Sequence, residues 1–366
     1  MLLFWVVSKF TWIYWSVIIA AAKIIDWATS WMPTSVYWVG LKKLEREHVM
    51  FNYSFGRRIF SVAVIFCFGI FACPPSSVLG VQEEAAKSDF KSTEVSLTAG
   101  DGFPISAMWY EGDKKKAASA LILLHELKRD RRDFADLAAY FAKNGHCVIV
   151  PDLRGHGKST VTANGGEYIA DRIGKSELLS MQADIEACKK FLIKKNDEEI
   201  CNIELLMVVA DGATSIPALG WCIVDWSFLP TAVKQGQDVK GLVMLSPLRS
   251  YQGSQINPAL RLPLISGKGA PNPLDIMLVA GSKSRQFRDS KSIYSMLSTS
   301  RGRRDEQDDW EKHDVFLVTT PTADVGVEIL SNNAETVPSK IFDFLEFRIL
   351  KNAEEYVWRT RSTTKE

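Results

Sequence analysis

Short apolar runs and amphipathic segments alternate along the chain from residue 90 to about residue 350. Two runs flank the Gly100–Gly102 turn and predict a β-hairpin that pairs Glu94–Leu97 with Ile105–Tyr110. Further apolar runs, each bounded by turn-forming residues, predict buried strands. These runs are residues 120–124, 146–150, 203–209, 239–245, 275–279 and 315–319.

Segments with an apolar face at helical spacing lie between those runs. Phe134 and Phe141 share one face of a helix predicted over Asp133–Lys143. Further helices are predicted over Gln182–Lys194 and from Ser339 to about Trp358. Buried strands that alternate with amphipathic helices predict an α/β fold, with a mostly parallel central sheet of about eight strands flanked by helices.

Two connections are informative about what covers the sheet. The connection Pro247–Asp275 is of moderate length and rich in proline, so it predicts an extended or short-helix cover and no large cap domain. The charged runs Arg301–Arg304 and Asp305–Asp309 fall between predicted elements, and we interpret both as a solvated loop.

The first eighty residues differ in composition from the rest of the chain. Six of the eleven Trp precede residue 40. Residues 1–49 form a hydrophobic, Trp-rich segment, and Met1–Ala22 within it is long enough to cross a bilayer. Residues 50–80 have a basic start, an apolar run over Ile59–Ala72 and a small-residue exit, as in a signal peptide or membrane anchor. The remaining residues, 88–366, form the α/β domain.

Two hypotheses account for this arrangement. In one, Met50 is the true start and residues 1–49 are an upstream over-read; in the other, both apolar stretches are membrane helices. Because positive charge stays on the cytoplasmic side and the segment between the stretches is basic, both hypotheses place the domain outside the cytoplasm. We therefore expect a periplasmic, cell-envelope or secreted domain, possibly anchored to the membrane by its N-terminal segments. The basic residues are Lys23, Lys42, Lys43, Arg46, Arg57 and Arg58.

The charge balance and the cysteines limit the choice of partners. With 44 basic and 43 acidic residues, the chain has no overall charge that would favour a nucleic-acid partner. Cys147, Cys188, Cys201 and Cys222 have no spacing typical of a metal site. We predict buried free thiols, with no metal and no cofactor.

The segment from Pro151 to Ser159 follows a predicted strand and reads PDLRGHGKS. It resembles the loop after the fourth strand of α/β hydrolases, in the branch of monoacylglycerol lipases, dienelactone hydrolases and serine aminopeptidases. Leu123–His125 is similar to the end of that family's oxyanion-loop strand, and the resemblance covers roughly residues 90–350. The loop residues that carry it are Asp152, Arg154, Gly155, His156, Gly157 and Ser159.

The chemistry of that family needs a serine at a sharp strand-to-helix turn, in the pattern G-x-S-x-G. The chain contains no such pattern. Alignment of the strand 203–209 places Asp211 at the nucleophile position. Some relatives use an aspartate nucleophile, but they also need a histidine to activate water. We therefore favour Asp211 as a polar residue that caps the following helix.

The other positions of the resemblance have changed as well. Ser284 stands where the acid of the triad belongs, and Asp324 or Val325 stands where the histidine belongs, since no His follows His313. Glu126 replaces the usual glycine after His125, and a carboxylate there opposes stabilisation of an oxyanion.

The side chains that remain should meet at the carboxyl edge of the sheet, where such folds bind ligands. The candidate pocket residues are His125, Glu126, Asp211 and Gly212. His125 either lines this pocket or satisfies a buried backbone group, and we expect a structural role for His156.

We predict a non-catalytic homologue of the α/β hydrolases, exported or membrane-tethered, which binds a small apolar or ester-like molecule or a partner in the former active site. The alternative is an active ester or acyl hydrolase with a non-standard catalytic set. A third possibility is a structural cell-envelope protein without a ligand. The absent final histidine favours the first prediction over the second.

Overall fold

The computed structural model describes residues 90–229, 234–302 and 313–361. The segments 1–49 and 50–80 lie outside the described residues, and so do the signal, anchor and start-site predictions made for them. Among the residues described, no helix has the length and apolar character needed to cross a bilayer.

Ten strands are present in the described part of the chain. They are β1 (Lys91–Thr98), β2 (Pro104–Glu111), β3 (Ser119–Leu124), β4 (Cys147–Pro151), β5 (Asn202–Asp211), β6 (Val239–Leu245), β7 (Ser250–Tyr251), β8 (Ser254–Gln255), β9 (Asp275–Gly281) and β10 (Val315–Thr320). Eight of them form one sheet in the order β1-β2-β4-β3-β5-β6-β9-β10. Strand β2 is antiparallel to its neighbours β1 and β4, and β4, β3, β5, β6, β9 and β10 pair in parallel. The predicted mostly parallel sheet of about eight strands is confirmed.

Eight α-helices accompany these strands in the described residues. They are α1 (Ala135–Lys143), α2 (Lys175–Asp197), α3 (Ser215–Ser227), α4 (Asn257–Leu260), α5 (Pro263–Ser266), α6 (Phe287–Ser300), α7 (Val327–Asn332) and α8 (Val337–Phe344). The apolar faces of α2, α3 and α6 cover one face of the sheet, and those of α1, α7 and α8 cover the other. The central strands are apolar throughout because both of their faces are buried in this way.

The connection between β6 and β9 contains only the two-residue strands β7 and β8 and the four-residue helices α4 and α5. This confirms the predicted short-helix cover. Helix α6 was not predicted, because its buried apolar side chains are only Ile293 and Leu297 in a serine-rich segment.

Two sequence-based expectations are wrong. Arg301, assigned to a solvated loop, is buried and donates from its guanidinium to the carbonyls of Ile265 and Leu274, at 2.6 and 2.9 Å. The closing helix, expected to reach Trp358, stops earlier: α8 passes into a π-helical segment, Leu345–Leu350. The chain beyond it forms turns and then an extended tail, which side chains of α2 and β5 hold by hydrogen bonds to backbone carbonyls.

The cysteines of the domain are buried free thiols, as predicted. Cys147, Cys188, Cys201 and Cys222 form no disulfide. Burial raises the pKa of the Cys147 thiol to about 11 and that of the other three well above the usual value. These thiols therefore behave as small apolar side chains of the core.

Candidate site at the carboxyl edge of the sheet

Strand β5 ends in a sharp turn that leads into α3. Asp211, its last residue, is extended, with φ −101° and ψ 134°. Gly212 follows with φ +53°, a conformation that glycine adopts at little cost, and a 3₁₀ turn over Gly212–Thr214 precedes the helix. The positive φ of the turn therefore falls on Gly212, one position after Asp211, to which the alignment assigned the nucleophile position.

The side chain of Glu126 occupies the space beside this turn. Its Oε1 accepts a hydrogen bond from the Leu127 backbone N–H at 2.7 Å, and its Oε2 accepts one from the Ala213 N–H at 2.8 Å. A Cβ atom added to Gly212 would overlap the Glu126 carboxylate. The carboxylate thus fills the position that a side chain at residue 212 would take.

The prediction that Asp211 caps the following helix is wrong, because its side chain makes no capping hydrogen bond and instead connects the loop after β10 to the end of β5. Its side chain is buried, and its Oδ2 accepts a hydrogen bond from the Val327 N–H at 3.0 Å. Gly326 approaches this carboxylate so closely that a Cβ would overlap it, and its own N–H donates to Ser246 Oγ at 2.9 Å. Ser246 follows β6, so three strand ends meet here.

Burial changes the acidity of both carboxyl groups. It raises the pKa of Asp211 well above its usual range, and the nearby charge of Glu126 raises it further. Burial also raises the pKa of Glu126, against the lowering effect of its two backbone N–H donors. The protonated form of Asp211 is favoured, since a single N–H donor does not compensate for its lost hydration.

His125 has both ring nitrogens engaged. Nε2 accepts a hydrogen bond from the Leu153 N–H at 3.0 Å, so Nδ1 carries the proton and donates to the Glu126 carbonyl at 2.8 Å. Burial lowers the pKa of His125 to about 4. The ring therefore connects the loop after β3 to the loop after β4, and it is not free to act as a base.

The loop from Asp152 to Ser159 follows β4 at the same carboxyl edge of the sheet and is held there by hydrogen bonds and an ion pair. The Asp152 carboxylate accepts from the backbone N–H groups of Arg131 and Lys158, at 2.9 and 3.0 Å. Arg154 is buried and pairs with Asp184 at 2.6 Å. Within the loop, Gly155 and Gly157 have positive φ, and His156 Nδ1 is 2.9 Å from the Arg154 carbonyl. Ser159 Oγ attaches the loop to β2 by accepting a hydrogen bond from the Ser106 N–H at 2.9 Å.

The loops after β9 and β10 lie side by side. The Lys283 N–H donates to the Thr322 carbonyl at 2.9 Å, and the backbone of Asp324 lies against Gly281. Ser284 Oγ is buried without a hydrogen-bond partner among the described residues. Asp324 and Val325 are half-buried. None of the three residues at these positions is a histidine.

Several solved esterases have a similar structure. An esterase from Pyrococcus furiosus is 18% identical, over 76% of this chain and 99% of its own, with a TM-score of 0.48. A carboxyl esterase from Bacillus coagulans is 14% identical, over 70% of this chain and 99% of its own, with a TM-score of 0.49. The esterase Est22 is 12% identical, over 70% of this chain and 81% of its own, with a TM-score of 0.50. No protein-family model and no curated protein sequence matches the chain.

The order and direction of the eight strands, together with the similarity to Est22, decide the fold. The chain has the α/β-hydrolase fold. At this level of identity the similarity concerns the fold, and the chemistry has to be derived from the residues at the site.

In the α/β-hydrolase fold the nucleophile stands at the turn after β5, which here is Gly212. The oxyanion is bound by the N–H of the following residue and by an N–H of the loop after β3. These donors correspond to Ala213 and Leu127, and both already donate to the Glu126 carboxylate. Neither of these two N–H groups is therefore free in this structure.

The alignment missed residues whose roles depend on backbone geometry. Gly212 was predicted as a pocket residue but not as the residue with a positive φ, although a glycine directly after a buried strand is the expected residue for that conformation. No sequence signal indicated Ser246 and Gly326, which bring the loop after β10 against Asp211. Within the described residues, no cluster of three His, Cys, Asp or Glu side chains could hold a metal ion.

Proposed function

We propose that this protein is a non-catalytic member of the α/β-hydrolase fold, whose remaining activity is binding. The observation that carries the proposal is the position of the Glu126 carboxylate, which accepts from Leu127 and Ala213 and fills the place of a side chain at Gly212. An acyl-transfer site needs a nucleophile at the turn and free N–H donors for the oxyanion.

The buried carboxyl group of Asp211 does not replace the nucleophile. Its Oδ2 accepts from Val327, its surroundings favour the protonated form, and the backbone of Gly326 covers it. A protonated and covered carboxyl group cannot attack an ester carbonyl. His125, at the same edge of the sheet, donates its Nδ1 proton to a backbone carbonyl.

A ligand at this edge would have to bind on the solvent side of the Asp211 and Glu126 carboxyl groups. Asp211 and Gly212 are buried, whereas Glu126 is half-buried. A small apolar or ester-like ligand, or a partner, would therefore contact Glu126 and displace it to reach the two N–H donors. We propose further that the domain is exported or membrane-tethered, which rests on the apolar stretches and basic residues of the first eighty residues.

The test is hydrolysis of a short-chain activated ester by the full chain, compared with the variants Glu126→Ala and Asp211→Asn. We expect no turnover above a heat-denatured sample for any of the three proteins. An organophosphorus probe that labels activated serines should leave all of them unlabelled, because residue 212 carries no side chain.

The matched control is Glu328→Ala. Glu328 is exposed near Arg129 and touches neither N–H donor. Turnover by the wild-type protein that persists in Glu328→Ala but is lost in Glu126→Ala would overturn the proposal and identify Glu126 as part of a rebuilt catalytic set. Export is tested separately, by the accessibility of Lys291 to a membrane-impermeant amine reagent in intact cells.

A further inference from the structure

A second candidate site lies at the other end of the sheet. A cavity of about 580 Å³ opens between α4, α5 and the last two turns of α6. Its volume falls within the range typical of small-molecule pockets. Leu260 and Met296 provide apolar wall, and the remaining lining side chains are basic or carry hydroxyls.

The cavity is remote from the site formed by Glu126, Asp211 and Gly212 (the Glu126 centre), because it adjoins the amino ends of the strands. Helix α5 is attached to the residue before β9 by the hydrogen bond from the Leu274 N–H to the Leu264 carbonyl, at 3.0 Å. Arg301, directly after α6, pairs with Asp314, which precedes β10, at 3.2 Å. Glu126 and Gly212 stand at the opposite, carboxyl edge of the same sheet.

The described lining residues carry positive charge. Arg261 and Lys268, both exposed, contribute two cations, and none of the lining residues that the structure describes is acidic. Neither cation forms an ion pair with a residue that the structure describes. In the cavity beside Trp226, by contrast, Lys234 pairs with Glu204 and Asp238, and Arg359 pairs with Glu204. Two cations without a protein partner favour an anionic ligand.

The hydroxyl groups of the cavity add hydrogen-bond donors. Ser266 Oγ accepts from the Lys268 N–H at 3.3 Å, which leaves its own proton free to donate. The hydroxyls of Ser295 and Thr299 have no hydrogen bond to a described residue. Three hydroxyls and two cations therefore face the same space from α5, α6 and the segments beside α4 and α5.

The end of α6 does not oppose an anion in this cavity. Helix ends carry unpaired carbonyls and a partial negative charge. Here the Leu297 carbonyl accepts from the Arg301 N–H and from Ser300 Oγ, at 3.0 and 2.9 Å, and the Thr299 carbonyl accepts from the Gly302 N–H at 3.2 Å. These two carbonyls are satisfied by donors at the end of the helix.

We propose that this cavity binds a phosphate-bearing ligand. A phosphate monoester has three terminal oxygens and close to two negative charges, which suits two cations and three hydroxyl donors; a carboxylate has two oxygens and one charge. Leu260 and Met296 accommodate an apolar part of the ligand next to the phosphate. The proposal is independent of whether the Glu126 centre is catalytic.

The first test is calorimetric titration of the full chain with glycerol 3-phosphate at fixed ionic strength, for wild type and for the double variant Arg261→Gln, Lys268→Gln. We expect saturable binding by the wild-type protein and a rise in Kd of about tenfold or more in the double variant, because both charge-assisted contacts are lost. The matched control is Lys291→Gln, an exposed residue on α6 outside the cavity, which should bind as wild type does.

The second arm replaces the soluble ligand with vesicles that contain phosphatidate. Binding that depends on Arg261 and Lys268 in the first arm alone assigns a soluble phosphate ester, and such binding in the vesicle arm assigns a lipid headgroup. Absence of binding in both arms, or equal binding by the double variant, overturns the proposal. The variant Ser266→Ala, which changes no charge, should weaken binding less than the double variant does.

Discussion

Asp211 is an acidic residue without an ionic partner in the interior of the described domain. Its one backbone donor is the Val327 N–H, and Glu126 and Asp133 add negative potential that Arg129 offsets only in part. A buried carboxyl in these surroundings is retained in its neutral form, since ionisation would cost hydration that the protein does not replace. Asp211 should therefore contribute to the pH dependence of the stability of the fold.

The variant Asp211→Asn should therefore be more stable than wild type at neutral pH. The folded-state pKa of Asp211 lies above its unfolded value, so its favourable contribution is complete below about pH 4 and decreases as the pH rises towards the folded-state pKa. The loss amounts to about 1.4 kcal/mol per pH unit in that interval. Urea unfolding at pH 4, 6 and 8 should show a gain for Asp211→Asn that grows with pH and vanishes near pH 4.

Asp136→Asn is the control for this series, because Asp136 is exposed on α1. It should leave the pH dependence of unfolding unchanged. If Asp211→Asn and wild type lost stability in parallel between pH 4 and pH 8, Asp211 would be ionised in the folded protein, and its role at the site would need another explanation.

At the scale of elements, strands and helices differed in how well they could be predicted. The runs 203–209 and 239–245 became β5 and β6 almost unchanged, because a short apolar run between turns is a local signal. Helix α6 was missed because its burial depends on two side chains, Ile293 and Leu297. The contact of Glu126 with Ala213 joins residues 87 apart in sequence, and no local pattern could indicate it.

Arg301 shows how a charged residue at the end of an element can hold others in place. Its guanidinium donates to the Ile265 carbonyl of α5 and to the Leu274 carbonyl before β9, and pairs with Asp314 before β10. Three arginines within residues 301–304 indicate a solvated loop when read from sequence, because the pattern does not reveal that one of them has buried carbonyl partners. Three separate elements therefore depend on one planar donor group.

Arg301→Lys should destabilise the fold by about 2–4 kcal/mol, because an ammonium group cannot reach all of these acceptors and leaves buried oxygens unpaired. The measurement is the free energy of unfolding in urea. Arg288→Lys, an exposed change on the same helix, should alter it by less than about 0.5 kcal/mol. Equal effects of the two substitutions would show that the Arg301 contacts contribute nothing specific.

At the scale of the whole domain, the extended tail after the π-helical segment connects the C-terminus to the start of the sheet. The Trp358 Nε1 donates to the Asn196 carbonyl at 3.2 Å, and the Asn202 side chain donates to the Tyr356 carbonyl at 3.1 Å. Arg361 is buried and pairs with Glu204 and Asp238, which also bind Lys234. These contacts, which join residues far apart in sequence, thus lie at the amino edge of the sheet, opposite the carboxyl edge where Glu126 stands.

Because the Arg361 side chain is buried and the Arg359 side chain is exposed, alanine substitutions of these two arginines should lower the unfolding free energy by different amounts. Arg361→Ala leaves Glu204 and Asp238 buried with fewer cations, which should cost about 2–3 kcal/mol of unfolding free energy; Lys189 and Lys234 remain and limit the loss. Arg359→Ala removes an exposed guanidinium that contacts the same Glu204 at 3.3 Å, while Arg361 and Lys234 stay paired with that carboxylate, so it should cost less than about 1 kcal/mol. Both free-energy changes are measured by urea unfolding at low and high salt.

Because a buried pair is screened far less than an exposed one, the Arg361 effect should persist in high salt while the Arg359 effect disappears. Similar costs for both variants would mean that the tail is held by its backbone contacts to Asn196 and Asn202, with the buried charges contributing little.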